Sequence, residues 1–227
     1  MDLYLKNGAL VMIDFSSLES LSKVLNHQNI IWGVGGSCLL SLHHLYENPH
    51  DLDLWVQPSD MPKLRIIFKE YQELPNDLPL PEKYRYRIKF HDTDVDFIAC
   101  FIVKPNQHTF EYNINPKNLE YINCNGFKIP CTYLEDWYII YRLLRKDDKA
   151  DIIKKVFEAK KIWINDNAIR TAISSDQISI PLRVKSDVYK LIAASTQMTM
   201  YDRNVGYPTN EEYNEIKLCP PITVDSD

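Results

Sequence analysis

The chain has 227 residues, a hydrophobic share of 45% and a net charge of −5. That length and apolar content support a packed core in one generous domain or two small ones. The acidic balance argues against a protein built mainly to hold nucleic acid, although a local basic groove remains compatible with it.

Helical spacing is expected first over residues 16–27, where Ser16 and Glu19 have capping-box spacing and Leu18, Leu21, Val24 and Leu25 share a face. A short apolar strand follows at 30–34 and ends in glycines. Residues 37–46 have a helical pattern, and 51–56 alternate as a strand. Asp60 and Pro62 open a helix running to about 71. The proline-rich segment 75–81 is expected to be a loop. Residues 84–90 and 93–103 read as a hairpin turning at His91-Asp92, and Asn125-Gly126 joins strands at 119–124 and 127–131. From Thr132 the pattern is helical to about 195, with Thr132 and Glu135 spaced as a second capping box. The expected architecture is α+β: a lobe at 1–131, a helical lobe at 132–200 and an irregular tail at 201–227, with a cleft between the lobes.

The cysteines Cys38, Cys100, Cys124, Cys131 and Cys219 are odd in number and form no Cys-x-x-Cys pair. That pattern points to reduced thiols in a cytoplasm. No apolar run is long enough to span a membrane, and the first residues lack a signal-peptide layout. A cytoplasmic protein with no membrane partner is therefore expected.

The most informative residues are acids in apolar company. Asp51-Leu52-Asp53-Leu54 places two carboxylates on one strand face, and Val95-Asp96-Phe97 adds a third. Buried carboxylates need a cation or another partner, and three that converge suit a hard divalent ion. Shared strand parity predicts carboxylates within roughly 4–7 Å of one another, with Asp96 preferred over its neighbour Asp94. Upstream, Gly35-Gly36-Ser37 joins a strand to a helix, a turn whose backbone can approach a phosphate. Lys83, Arg85, Arg87 and Lys89 share one strand face and read either as a solvated face or as a contact for triphosphate or RNA. Lys146 and Lys149 either reach a triphosphate across the cleft or pair with Asp147, Asp148 and Asp151.

Gly36-Ser37, a short spacer, Asp51-x-Asp53 and a later apolar-flanked Asp96 together resemble the signature of the nucleotidyltransferase superfamily that includes DNA polymerase beta. Trp32 to Gly36 followed by His50-Asp51-Leu52-Asp53 is similar to the antibiotic nucleotidyltransferases that modify lincosamides and aminoglycosides. Leu134-Glu135-Asp136-Trp137 followed by Arg145 to Ile152 is similar to the helical part of those enzymes and of abortive-infection nucleotidyltransferase toxins. Tyr141 departs from the toxins, which often carry a lysine there.

The resemblance implies a nucleotidyltransferase-type mixed sheet with flanking helices. It implies transfer of an NMP from an NTP to an acceptor hydroxyl, with release of pyrophosphate. Two Mg²⁺ ions, or Mn²⁺, would be held by Asp51, Asp53 and Asp96, with Asp96 as a general base. Gly35, Gly36 and Ser37 would bind the nucleotide; by their spacing Lys146 and Lys149 are expected to join them, and Lys83, Arg85, Arg87 and Lys89, on one strand face hairpinned to the Asp96 strand, to bind the acceptor. The acceptor is a small molecule such as an antibiotic, or, on the toxin-like alternative, tRNA or protein with a cognate antitoxin as partner. A non-catalytic nucleotide-binding module is the remaining alternative.

Overall fold

The computed structural model describes residues 4–6, 9–11, 15–47, 49–76, 82–103, 110–124, 126–158 and 181–199. Strands β1 (Tyr4–Lys6) and β2 (Ala9–Val11) form a small antiparallel pair. Helix α1 (Phe15–His27) leads to β3 (Trp32–Val34), α2 (Gly36–Leu42), β4 (Leu52–Val56), α3 (Met61–Ile67) and β5 (Gln72–Glu73). Then come β6 (Glu82–Phe90), β7 (Thr93–Val103), β8 (Phe110–Tyr112), β9 (Glu120–Cys124) and β10 (Phe127–Cys131). Helices α4 (Leu134–Leu143), α5 (Asp147–Glu158) and α6 (Leu182–Thr199) follow.

The fold is α+β. The main sheet runs β5-β6-β7-β4-β3-β10-β9, with β8 paired to β7. It is mixed: β4 runs parallel to β7 and β10 parallel to β3, while β3 and β4 are antiparallel.

Period two splits the central strands into two chemically different faces. Leu52, Leu54, Tyr86, Ile88, Val95 and Phe97 are buried on one face. Helices α1 and α3 cover it: Phe68, just past α3, stacks on Phe97 at 5.2 Å between centroids. Thr93 Oγ1 meets Ser17 Oγ of α1 at 3.1 Å. The opposite face carries Asp53, Trp55 and Asp96, and α4 reaches it through Trp137, which meets Trp55 edge-on at 5.8 Å. One contiguous apolar cluster extends from Leu18 in α1 through the sheet to Leu191 in α6. Among the described residues, no helix is long and apolar enough to cross a membrane, and Cys38, Cys100, Cys124 and Cys131 are free thiols.

Several element ends differ from expectation for local reasons. Helix α1 starts at Phe15, so Ser16 lies inside it, and Glu19 pairs with Lys23 at 2.8 Å. Helix α2 stops at Leu42, and His44 turns left-handed with φ +58°. The expected helix at 60–71 begins as a 3-10 turn over Pro58–Asp60, and Asp60 accepts the Ile31 backbone N–H at 3.0 Å instead of capping it. The second capping box moves by one residue. Tyr133 is the N-cap of α4, and Asp136 accepts from the Tyr133 backbone. Thr132 is occupied elsewhere: its hydroxyl donates to Val34 O and accepts from Trp137 Nε1, both at 2.9 Å. Gly126 makes the β9–β10 turn with φ +86°. Asn125, residues 77–81 of the proline-rich segment and the tail at 201–227 lie outside the described residues.

Candidate active site

The parallel pairing of β4 with β7 sets Asp53 directly beside Asp96. Asp51 precedes Asp53 by two residues and so faces the same way. One carboxylate oxygen from each of Asp51, Asp53 and Asp96 lies within 4.8 Å of the others. Asp96 is fully enclosed, whereas Asp51 and Asp53 are half-buried. Burial pushes the Asp51 carboxyl above its ordinary range, and the charge of Asp96 adds to this. Burial raises Asp53 further, followed by the charges of Asp51 and Asp96; Lys146 and Arg85 act in the opposite direction. Like charges held this closely disfavour ionisation, so the cluster is poised to accept a cation.

Part of that charge is already compensated from β6. Arg85 Nη2 donates to Asp96 Oδ2, and Arg87 Nε donates to Asp96 Oδ1 at 2.7 Å. Arg87 is fixed again by donation to Pro75 O at 2.8 Å. Antiparallel register places Arg87 opposite Asp96 and Lys89 opposite Asp94. Lys89 Nζ bonds Asp94 Oδ1 at 2.6 Å, so Asp94 is engaged away from the triad. Arg85 and Arg87 therefore stand on the triad's face as ion-pair partners and are not a solvated face. Lys83 lies on the same strand, with its side chain outside the described residues.

The turn from β3 into α2 touches the same carboxylates. Gly35 N donates to Asp53 O at 2.9 Å. A Cβ on Gly35 would lie 2.5 Å from both the Trp55 and Trp137 rings, so only glycine fits between the two indoles. Gly36 adopts φ +59°, and a Cβ there would lie 1.8 Å from Asp53 Oδ2. Both glycines are required by space, and Gly36 by backbone conformation as well. Ser37 is buried behind them.

On the helical side, Lys146 is exposed and Lys149 is half-buried. Neither forms an ion pair among the described residues. Asp147 and Asp151 are taken instead by Arg142, whose Nη1 meets Asp147 at 2.7 Å and whose Nη2 meets Asp151. Lys149 Nζ sits over the Tyr46 ring at 4.9 Å and the Tyr141 ring at 5.7 Å. His50 is exposed beside Asp51, and its charge opposes the rise of that carboxyl. Sequence reasoning missed Tyr46, Trp55 and Trp137. Aromatic residues in apolar runs carry no pattern that separates a site wall from ordinary core.

The donor set suits a hard divalent cation with oxygen ligands. Three carboxylates against two guanidiniums leave a modest negative excess. Each Asp96 oxygen accepts one guanidinium N–H and retains a second lone pair for a ligand role.

No family model and no curated protein sequence matches the chain. Among solved structures, it is similar to a candidate nucleotidyltransferase from Thermotoga maritima, with 20% identity, a TM-score of 0.49, and coverage of 65% of this chain and 96% of that one. It is similar to the lincosamide antibiotic adenylyltransferase LnuA with lincomycin bound, at 12% identity and TM-score 0.44, covering 63% and 98% of the two chains. It is also similar to the antibiotic-resistance factor ANT(2'')-Ia, at 11% identity and TM-score 0.48, covering 69% and 89%.

Proposed function

We propose that the chain is a metal-dependent nucleotidyltransferase that moves an NMP from an NTP to the hydroxyl of a small-molecule acceptor and releases pyrophosphate. The observation that carries this reading is the convergence of Asp51, Asp53 and Asp96 within 4.8 Å beside a glycine turn that has no room for a side chain. Asp51, Asp53 and Asp96 would hold the metal, Mg²⁺ or Mn²⁺, which supplies charge neutralisation for the triphosphate and lowers the pKa of the attacking hydroxyl.

The chain's own groups do the rest by positioning. Arg85 and Arg87 fix both oxygens of Asp96, which favours a ligand role for it over proton transfer. The Gly35-Gly36 turn brings the backbone up against the Asp53 carboxylate. Lys146 and Lys149 offer positive charge from the helical side and form no ion pair among the described residues. Catalysis of this kind relies on placement and preorganised charge.

The basic strand bears on the acceptor. Arg85 and Arg87 are spent on Asp96 and Lys89 on Asp94, so three of the four cations that favoured RNA in the sequence already have carboxylate partners. A small molecule, such as an antibiotic bearing a hydroxyl, is the better-supported acceptor.

The test is incubation with each alpha-labelled NTP, Mg²⁺, an antibiotic panel and total tRNA. Label on a small molecule, with turnover insensitive to moderate salt, is expected. Label in RNA, with strong salt dependence, would overturn the acceptor assignment. Absence of labelled product and pyrophosphate under every condition would overturn the transferase reading.

A further inference from the structure

We infer that Tyr46 and Tyr141 form an aromatic seat that positions Lys149 for the phosphate tail of the donor nucleotide, an assignment that rests on the nucleotidyl-transfer reading. The three residues come from three parts of the chain: the segment after α2, helix α4 and helix α5. The Lys149 ammonium lies 4.9 Å from the Tyr46 centroid and 5.7 Å from that of Tyr141, within cation–π range of both. Of the acids near Lys149 in sequence, Asp147 and Asp151 are held by Arg142, and Asp148 forms no ion pair with Lys149 among the described residues.

This arrangement has a chemical consequence. A carboxylate partner would hold the lysine and cancel its charge. Two aromatic rings hold it through their quadrupoles and leave the full charge for an anionic ligand. Burial lowers the affinity of Lys149 for its proton, with the charge of Lys146 adding to the effect, while Asp53, Asp148 and Asp51 counter it. The lysine therefore lies within electrostatic reach of two of the three triad carboxylates, Asp53 and Asp51. Tyr141 adds a second link. Its hydroxyl is buried and has no hydrogen-bond partner among the described residues. After burial, the charge of Asp53 is the strongest influence raising its pKa. Tyr141 also packs on Trp137 at 5.2 Å between centroids, and Trp137 closes over the Gly35 turn beside Asp53, so the seat adjoins the triad.

The experiment is equilibrium binding of Mg-ATP and of AMP to the full chain, with the base replaced by whichever labels best. The variants are Tyr46→Leu, Tyr141→Phe, Lys149→Ala and the double variant of Tyr46→Leu with Lys149→Ala. Tyr46 is half-buried at the edge of the core, and leucine keeps an apolar side chain there; a thermal melt verifies each fold. Tyr46→Leu and Lys149→Ala should each weaken ATP roughly tenfold, and the double variant should be no weaker than Lys149→Ala alone. AMP, which lacks the tail, should bind all variants as it binds the unaltered chain. Tyr141→Phe keeps the ring and should stay within roughly threefold for ATP. Additive losses in the double variant, or equal losses for AMP, would overturn the seat and leave nucleotidyl transfer standing. Failure of the unaltered chain to bind ATP at all would overturn both.

Discussion

Asp96 on β7 and Asp136 on α4 are both buried carboxylates, and they are satisfied in opposite ways. Asp96 sits between two guanidinium groups and beside two further carboxylates. Asp136 accepts a hydrogen bond from Tyr112 Oη at 2.9 Å and another from the Tyr133 backbone, with no ion-pair partner among the described residues. Burial, with the charge of Glu135 adding to it, pushes the Asp136 carboxyl up to about 7. Cationic partners keep a buried acid useful as a charge. Neutral donors turn it into a latch that holds α4 to β8 and is about half protonated at neutral pH. The difference separates a site for a cation from a structural joint, although both begin as acids in apolar sequence.

The largest effect should come from breaking the charged side of this contrast. Asp53→Asn removes one ligand from the triad while keeping its shape. Transfer should fall by about three orders of magnitude or more, because the metal site and the preorganised charge fail together. The fold should persist without metal, and the melting temperature should hold or rise, since the substitution relieves the repulsion that raises Asp51 and Asp53. Retained turnover in a steady-state assay would remove Asp53 from the chemistry.

Next in size is Arg87→Met. It leaves the enclosed Asp96 with only Arg85 and should cost about 3 kcal/mol in urea denaturation, near the lower end for stripping a buried ion pair of one partner. A change under about 1 kcal/mol would mean that Asp96 does not depend on Arg87 for its charge. Gly36→Ala should follow at about 2 kcal/mol, from the left-handed backbone and the Cβ driven onto Asp53. Its activity should fall further than its stability, because the side chain that must move is a metal-ligand candidate. Equal loss of both would make the turn merely structural.

These contrasts also explain what the sequence could tell. Strand parity was enough to place Asp51, Asp53 and Asp96 on one face, because apolar flanks fix which side of a strand is buried. The same parity put Arg85 and Arg87 on that face, yet it could not say whom they meet. That depends on the β6–β7 register, which sets Arg87 opposite Asp96. Capping reads failed where a hydroxyl had a better offer: Thr132 bridges β3 to Trp137, and the cap passed to Tyr133 with Asp136. The Tyr46–Lys149–Tyr141 grouping was illegible because its members come from three elements and meet only after packing.

The smallest effect tests the neutral side of the contrast through its pH dependence. The folded-state value of about 7 for Asp136 lies above the ordinary carboxylate range, so the folded chain holds this proton more tightly than the unfolded chain. Stability from this group is complete at acid pH, declines as pH rises from about 4, and is lost once pH passes about 7. Asp136→Asn removes the titration and keeps a carbonyl to accept from Tyr112. The variant should therefore improve relative to the unaltered chain as pH rises, by about 1–2 kcal/mol between pH 5 and pH 8 in paired urea titrations. The added amide N–H groups must be satisfied at every pH, which lowers the absolute gain but not the slope. A difference that stays flat over this range would show Asp136 to be ionised in the folded chain, and the latch would then need a cation that the Tyr112 and Tyr133 contacts do not supply.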